Sequence, residues 1–166
     1  MPVLMAVRVG GRPRTKGSLK VYCQKDRRHT VHVTEEVEES IRWRKAVARA
    51  VREKQLAGGG SILAWPGPVE VRLVFHFPRE QSVNGGPIPT HQTEWPTAIT
   101  VGDADKLARN VLDALSMPTK KADVAKCSGL IKDDSQVVIL SVAKFWVSGD
   151  TEPGVDILVM TIESTP

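Results

Sequence analysis

The sequence predicts an α+β domain: a single mixed β-sheet with two main helices packed on one face. Three observations carry this. Short runs of β-rich sequence recur, and residues 68–78 place Val69, Val71, Leu73, Phe75 and Phe77 on one strand face. Two other stretches, 35–56 and the run from Asp103 to Met117-Pro118, carry apolar residues at helical spacing instead. The elements follow the order β, (β), α, β, α, β, β without internal repeats, so strands and helices share one layered core.

At 166 residues, the chain 1–166 fits a single domain with a sizeable core. Hydrophobic residues at 41% and charged residues at 25% exclude a disordered class. No apolar run approaches the roughly 18–20 residues that span a bilayer, and the first residues lack a basic leader, so a cytoplasmic setting is expected. Cys23 and Cys127 make neither a zinc motif nor a disulfide framework and are expected as free thiols. The net charge of +4 conceals an asymmetry. Residues 1–56 hold 14 Lys and Arg against 6 Asp and Glu, whereas 57–166 hold 9 against 13. A basic N-terminal half suits a polyanion, and an acidic C-terminal half supplies carboxylates.

Residues 3–9 read as a first strand, broken by the basic, turn-forming loop Gly10-Gly11-Arg12-Pro13-Arg14-Thr15-Lys16-Gly17. Such a loop offers Arg12, Arg14 and Lys16 to phosphates and carries no base-reading signature. Residues 19–23 and 29–33 read as short strands; His29 and His32 then fall on opposite faces, which argues against a shared metal and for structural or surface roles. Thr34 is the expected cap of the first helix, with Glu35 and Glu36 in its first turn and Gly58-Gly59-Gly60 ending it. The strand at 68–78 leads into an irregular loop over 79–102 that includes His91 and Trp95, of a length more often functional than decorative. The second helix follows, with Leu107, Val111, Ala114 and Leu115 on one side. Its C-terminal connection carries Lys120, Lys121, Lys126 and Lys132. The run 136–147 is apolar on both faces and reads as an interior strand. Residues 155–162 form the last strand.

Two acidic clusters carry the chemistry. Asp103 and Asp105 flank a helix start, where the alanine between them turns away and both carboxylates can face one point. Free N–H groups at that helix end accommodate negative charge. Asp133-Asp134 precedes the next strand and offers a third carboxylate. Hard divalent cations take oxygen ligands, and Mg²⁺ is typically held by one or two carboxylates plus water and substrate phosphate. Taken singly, an Asp-x-Asp is an N-cap with a neighbouring charge and an Asp-Asp-Ser is a turn. Together with the intervening helix they point to metal-assisted phosphodiester hydrolysis.

The pattern Asp103-x-Asp105-x-Leu107-x-Arg109-x-x-Leu112-Asp113-Ala114-Leu115, followed by Asp133-Asp134-x-Gln136-Val137, resembles the RusA family of Holliday junction resolvases, many of them carried by phages. The likeness is dense over roughly 99–140, and the basic N-terminal loop resembles one found in phage-type members. The resemblance implies a RusA-like fold and a homodimer that nicks branched DNA, above all four-way junctions, in recombination and repair. It also implies Mg²⁺, with Mn²⁺ substituting, held by Asp103, Asp105 and Asp134, and catalytic assistance from Arg109. The cytoplasm would be the host's if the chain is phage-encoded. Lys106 stands where the family usually has Asn, and Arg109 where it usually has Lys; an arginine keeps the charge but cannot shuttle a proton. Lys106, Lys120, Lys121 and Lys132 are expected to extend the DNA surface. Asp113 lies four residues after Arg109 and is expected to pair with it along the helix. The competing reading is a catalytically silent module that binds branched DNA through its basic half. A nucleotide phosphotransferase ranks last, because no phosphate-cradling Gly-Lys-Ser/Thr loop is present.

Overall fold

A computed structural model describes residues 1–16, 20–23, 31–34, 38–59, 64–79, 95–97, 101–147 and 151–163. Its elements are β1 (Val3–Gly10), β2 (Lys20–Cys23), β3 (Val31–Thr34), α1 (Glu38–Ala57), β4 (Val69–Phe77), α2 (Ala104–Leu115), β5 (Val137–Trp146) and β6 (Gly154–Thr161), with 3₁₀ turns at Lys121–Lys126 and Asp134–Gln136. Four strands form one mixed sheet in the order β1-β6-β4-β5, and β2 and β3 pair as a separate antiparallel ribbon. The α+β class with two main helices is therefore what the chain adopts.

The sheet is held by pattern and register. β4 buries Val69, Val71, Leu73, Phe75 and Phe77 on the face expected from its alternation, against Val155, Ile157 and Val159 of β6 in the same core. α1 adds Trp43, Val47, Ala48 and Val51 to that core, and α2 adds Leu107, Val111, Ala114 and Leu115. Each large side chain buried this way contributes on the order of 1.5–3 kcal/mol. α1 ends where Gly58 and Gly59 donate back to the carbonyls of Lys54 and Leu56, with Gly59 at φ 69°. The expected start at 35–37 lies outside the described residues, as do His29, His91 and most of 79–102.

One strand departs from expectation. The apolar run 136–147 does not become an interior strand: among the described residues β5 is the sheet's edge, paired in parallel with β4 alone. A register shift at Val69/Glu70 lets Val137 and, further on, Val142 and Trp146 all pack toward the core. The remaining apolar side chains that suggested an interior position, Val138, Ile139 and Leu140, are instead 60%, 45% and 44% exposed. The interior strands are β6 and β4.

β4, α2 and β5 form a parallel strand–helix–strand unit. The segment after α2 folds back to cap it. The N–H groups of Ser128, Gly129 and Ile131 donate to the carbonyls of Ala114, Ser116 and Leu115, so the last two helical carbonyls and that of the C-cap have donors before the chain enters β5. Among the described residues no helix is long and apolar enough to cross a membrane.

Candidate functional site

The first acidic pair sits where the sequence put it. Gly102 turns the chain at φ 86°, and Asp103 occupies the N-cap of α2 with extended backbone, φ −74° and ψ 140°. The Asp103 carboxylate makes no capping bond. It reaches the Lys106 ammonium instead, at 2.8 Å. That hydrogen bond, and then the lysine's charge, hold the Asp103 carboxyl below its ordinary range, and the same contact raises Lys106. The charge of Asp105 also reaches Lys106, so one ammonium already stands within the field of both exposed carboxylates. A cation is thus attracted to the spot expected to bind one.

Asp134 is elsewhere. It opens the 3₁₀ turn before β5, exposed to solvent. Gln136 holds that turn. Its side-chain carbonyl accepts from the N–H groups of Lys132 and Asp133 at 2.7 and 3.1 Å, and its amide donates to the carbonyls of Trp65 and Gly67. Asp133 caps the turn by accepting from the backbone N–H of Ser135 at 3.0 Å, and hydrogen bonding to Ser135 lowers its carboxyl. Met117 N–H donates to the Lys132 carbonyl, which places this turn beside the C-terminal end of α2. At the other end of β5, the Lys144 ammonium donates to the Gly102 carbonyl at 3.0 Å, beside the N-terminal end of α2. Asp103 and Asp134 therefore lie at opposite ends of a 12-residue helix, which is roughly 18 Å long at 1.5 Å per residue. Among the described residues no three His, Cys, Asp or Glu side chains gather to hold a metal. As donors, Asp103 and Asp105 fit a hard divalent ion; Asp134 of the same chain does not join them.

The basic loop is fastened to α2. Lys16 N–H donates to the Lys106 carbonyl at 3.1 Å, and a Cβ on Gly102 would overlap the Thr15 methyl group. Asn110, fully buried, donates to the Arg14 carbonyl at 2.9 Å and the Ser40 hydroxyl at 3.1 Å, and accepts from Arg44 Nε at 2.9 Å. Asp113 does not pair with Arg109. It takes the Lys16 ammonium at 2.9 Å and the Arg44 guanidinium at 3.4 Å. Arg109 is exposed on the neighbouring face. Arg14 pairs with Glu39 at 3.0 Å, and Arg12 is exposed. The loop's cations and the two carboxylates thus share one rigid mount.

Lys120, Lys121 and Lys132 are exposed around the C-terminal end of α2, while Lys126 pairs with Asp123 at 3.1 Å. Trp95, half exposed, leans on Phe145 with ring centroids 5.3 Å apart. Four contributors escape a reading of the sequence: Lys144, Asn110, Arg44 and the clamp made by Gln136. For Gln136 a signal existed, since it stands three residues after Asp133 as the partner in a capping box.

The family model for endodeoxyribonuclease RusA matches residues 12–160. The chain belongs to the RusA family. The match covers both acidic clusters, the loop fastened to α2, β4, β5 and β6 up to Met160, while β1 lies wholly before it. RusA membership implies nuclease activity of the Holliday-junction-resolvase kind. A search of curated proteins found no match to the chain.

Proposed function

We propose that this RusA-family chain is a divalent-metal-dependent, structure-selective endodeoxyribonuclease of the cytoplasm. It resolves four-way junctions and other branched DNA by paired nicks in recombination and repair. The observation that carries this reading is the exposed Asp103–Asp105 pair at the start of α2, within a chain matched over 12–160 by an endodeoxyribonuclease family.

Asp103 and Asp105 would hold Mg²⁺ or Mn²⁺; Asp134, expected as the third carboxylate, lies at the other end of α2 within the same chain. When bound, the metal lowers the pKa of a water and offsets charge on the scissile phosphate. The protein's own groups do the rest. Arg109 projects from the turn after Asp105 and binds the phosphate oxygens through its fork of N–H donors. Lys106 has two partners to choose between, Asp103 and DNA phosphate, and releases the carboxylate as phosphate arrives. Arg12, Lys120, Lys121 and Lys132 hold the backbone of the DNA arms, while Arg14 and Lys16 set the loop's position from within. Such phosphate contacts orient the duplex without reading its sequence, so selection is by branch geometry. Two copies of the chain serve the two symmetric strands of a junction.

The test is incubation with synthetic four-way junctions and Mg²⁺. Symmetric nicks on opposing strands are expected, with loss in Asp105→Asn. Junction binding without cleavage in any divalent metal would instead support the silent binding module.

A further inference from the structure

We propose that Lys144 is a positioning residue for the nuclease reaction: its ammonium pins the Gly102 carbonyl and so fixes the turn from which Asp103 and Asp105 meet their cation. This rests on the endonuclease reading above and adds to that site a residue of β5 that belongs to neither acidic cluster.

The first support is how out of place this lysine is. β5 reads Val137-Val138-Ile139-Leu140-Ser141-Val142-Ala143-Lys144-Phe145-Trp146, and Lys144 is its one charged residue. Val142 and Trp146, two positions to either side, pack toward the core, so strand alternation puts Lys144 on the same face. Its neighbour in the register there is the fully buried Phe75. A half-buried ammonium in such a strand is costly unless it is hydrogen-bonded. The bond it makes, 3.0 Å to the Gly102 carbonyl, goes to a neutral backbone group 42 positions earlier in the chain. Such a partner serves geometry rather than charge neutralisation.

The second support is what the lysine holds. Gly102 stands at φ 86° with the Thr15 methyl where a Cβ would be, so the turn requires glycine. Glycine is also the residue whose backbone is freest to rotate, and its peptide plane leads straight into Asp103. The Asp103 side chain makes no capping bond that would fix the entry to α2. The Asp103 carbonyl accepts from the Leu107 N–H at 3.0 Å. Holding the Gly102 carbonyl on one side turns the Asp103 N–H to the other, and with it the direction in which the carboxylate leaves the helix cap.

The third support is the contrast between two lysines. Lys106 bonds the Asp103 carboxylate itself, at 2.8 Å. The charge of Lys144 reaches that carboxylate only behind the hydrogen bond and the charge of Lys106, and its ammonium is spent on the backbone. The two duties predict opposite effects on metal. Removing a lysine that merely repels a cation tightens cation binding. Removing one that orders the ligands weakens it.

That sign is the test. Calorimetry with Mn²⁺ alone, on the full chain without DNA, should show binding weakened roughly tenfold in Lys144→Met, the ratio expected for freeing one residue's backbone. Lys144→Arg keeps the charge and the N–H donors and should recover most of the loss. Tighter or unchanged Mn²⁺ binding in Lys144→Met overturns the proposal. On synthetic four-way junctions with Mg²⁺, kcat should fall in Lys144→Met while KM holds. A raised KM with unchanged kcat would make Lys144 a DNA contact and overturn it too. A further readout needs neither metal nor activity. Amide hydrogen exchange at the Leu107 N–H should speed several-fold in Lys144→Met, with protection of α1 unchanged. Exchange equal to that of the unmodified chain refutes the tie. Should Lys144→Met not fold, Lys144→Gln, polar but shorter, carries the same expectations. An unmodified chain that binds no Mn²⁺ and cuts no junction counts against the endonuclease reading instead, and the exchange result still judges the Lys144–Gly102 tie.

Discussion

The Lys106 ammonium lies 2.8 Å from an Asp103 carboxylate oxygen, three residues away across the first turn of α2. The pair places a protein cation in the field of Asp103 and Asp105, where a divalent ion is proposed to bind. Metal and lysine then compete for Asp103. Lys106→Met should bind Mn²⁺ a few-fold more tightly than the unmodified chain in the absence of DNA, measured by calorimetry; both groups are solvent-exposed, so the effect is modest. Unchanged or weaker affinity would show that Lys106 does not guard the site.

Asn110 satisfies three partners inside the fold, and no apolar residue reproduces them. Asn110→Leu should leave the Arg14 carbonyl and Arg44 Nε without their partners, at a cost of about 2–4 kcal/mol. Urea denaturation measures this. Junction affinity should fall as well, because the loop bearing Arg12 loses an anchor.

Gly102 meets two constraints at once: a left-handed backbone at φ 86° and the Thr15 methyl where a Cβ would stand. Gly102→Ala should destabilise by about 1–2 kcal/mol from the backbone alone, with the overlap adding to it. Thr15→Ala in the same chain should recover the second part and not the first. Full recovery in thermal melts would assign the whole cost to the overlap.

Cys127 is a free thiol whose pKa is pushed up by burial first and by the charge of Asp123 second. The folded chain therefore holds this proton more tightly than the unfolded one. Its contribution to stability is present below the ordinary thiol value and lost as pH rises through the raised one. In a Cys23→Ser chain, alkylation by iodoacetamide at pH 8 should be slower when folded than in urea. Equal rates would contradict the burial.

The elements with strong periodicity were legible in the sequence. The alternation of Val69, Val71, Leu73, Phe75 and Phe77 survives as a buried face, and the Leu107–Val111–Leu115 stripe survives as the inner side of α2. β5 misled because apolarity on both faces has two causes: burial between neighbours, or an edge that has something else to meet. Periodicity cannot separate them. The Asp113–Arg109 pairing failed for a different reason. Helical spacing makes the pair available, but Lys16 and Arg44 reach Asp113 from other elements and win the contact. Lys144 was invisible because the residue it touches is 42 positions away. Sequence distance likewise brought Asp134 near Asp103, while the direction of α2 keeps them apart.

β1 and β6 are antiparallel neighbours, and Thr161 N–H donates to the Pro2 carbonyl at 2.9 Å. Both ends of the described chain therefore emerge together, at the border of the sheet opposite β5. Anything fused there, such as a fluorophore, an affinity handle or a surface linker, hangs on the side away from β5. A single molecule tethered near Pro2 or Thr161 would present the β5 side to solution.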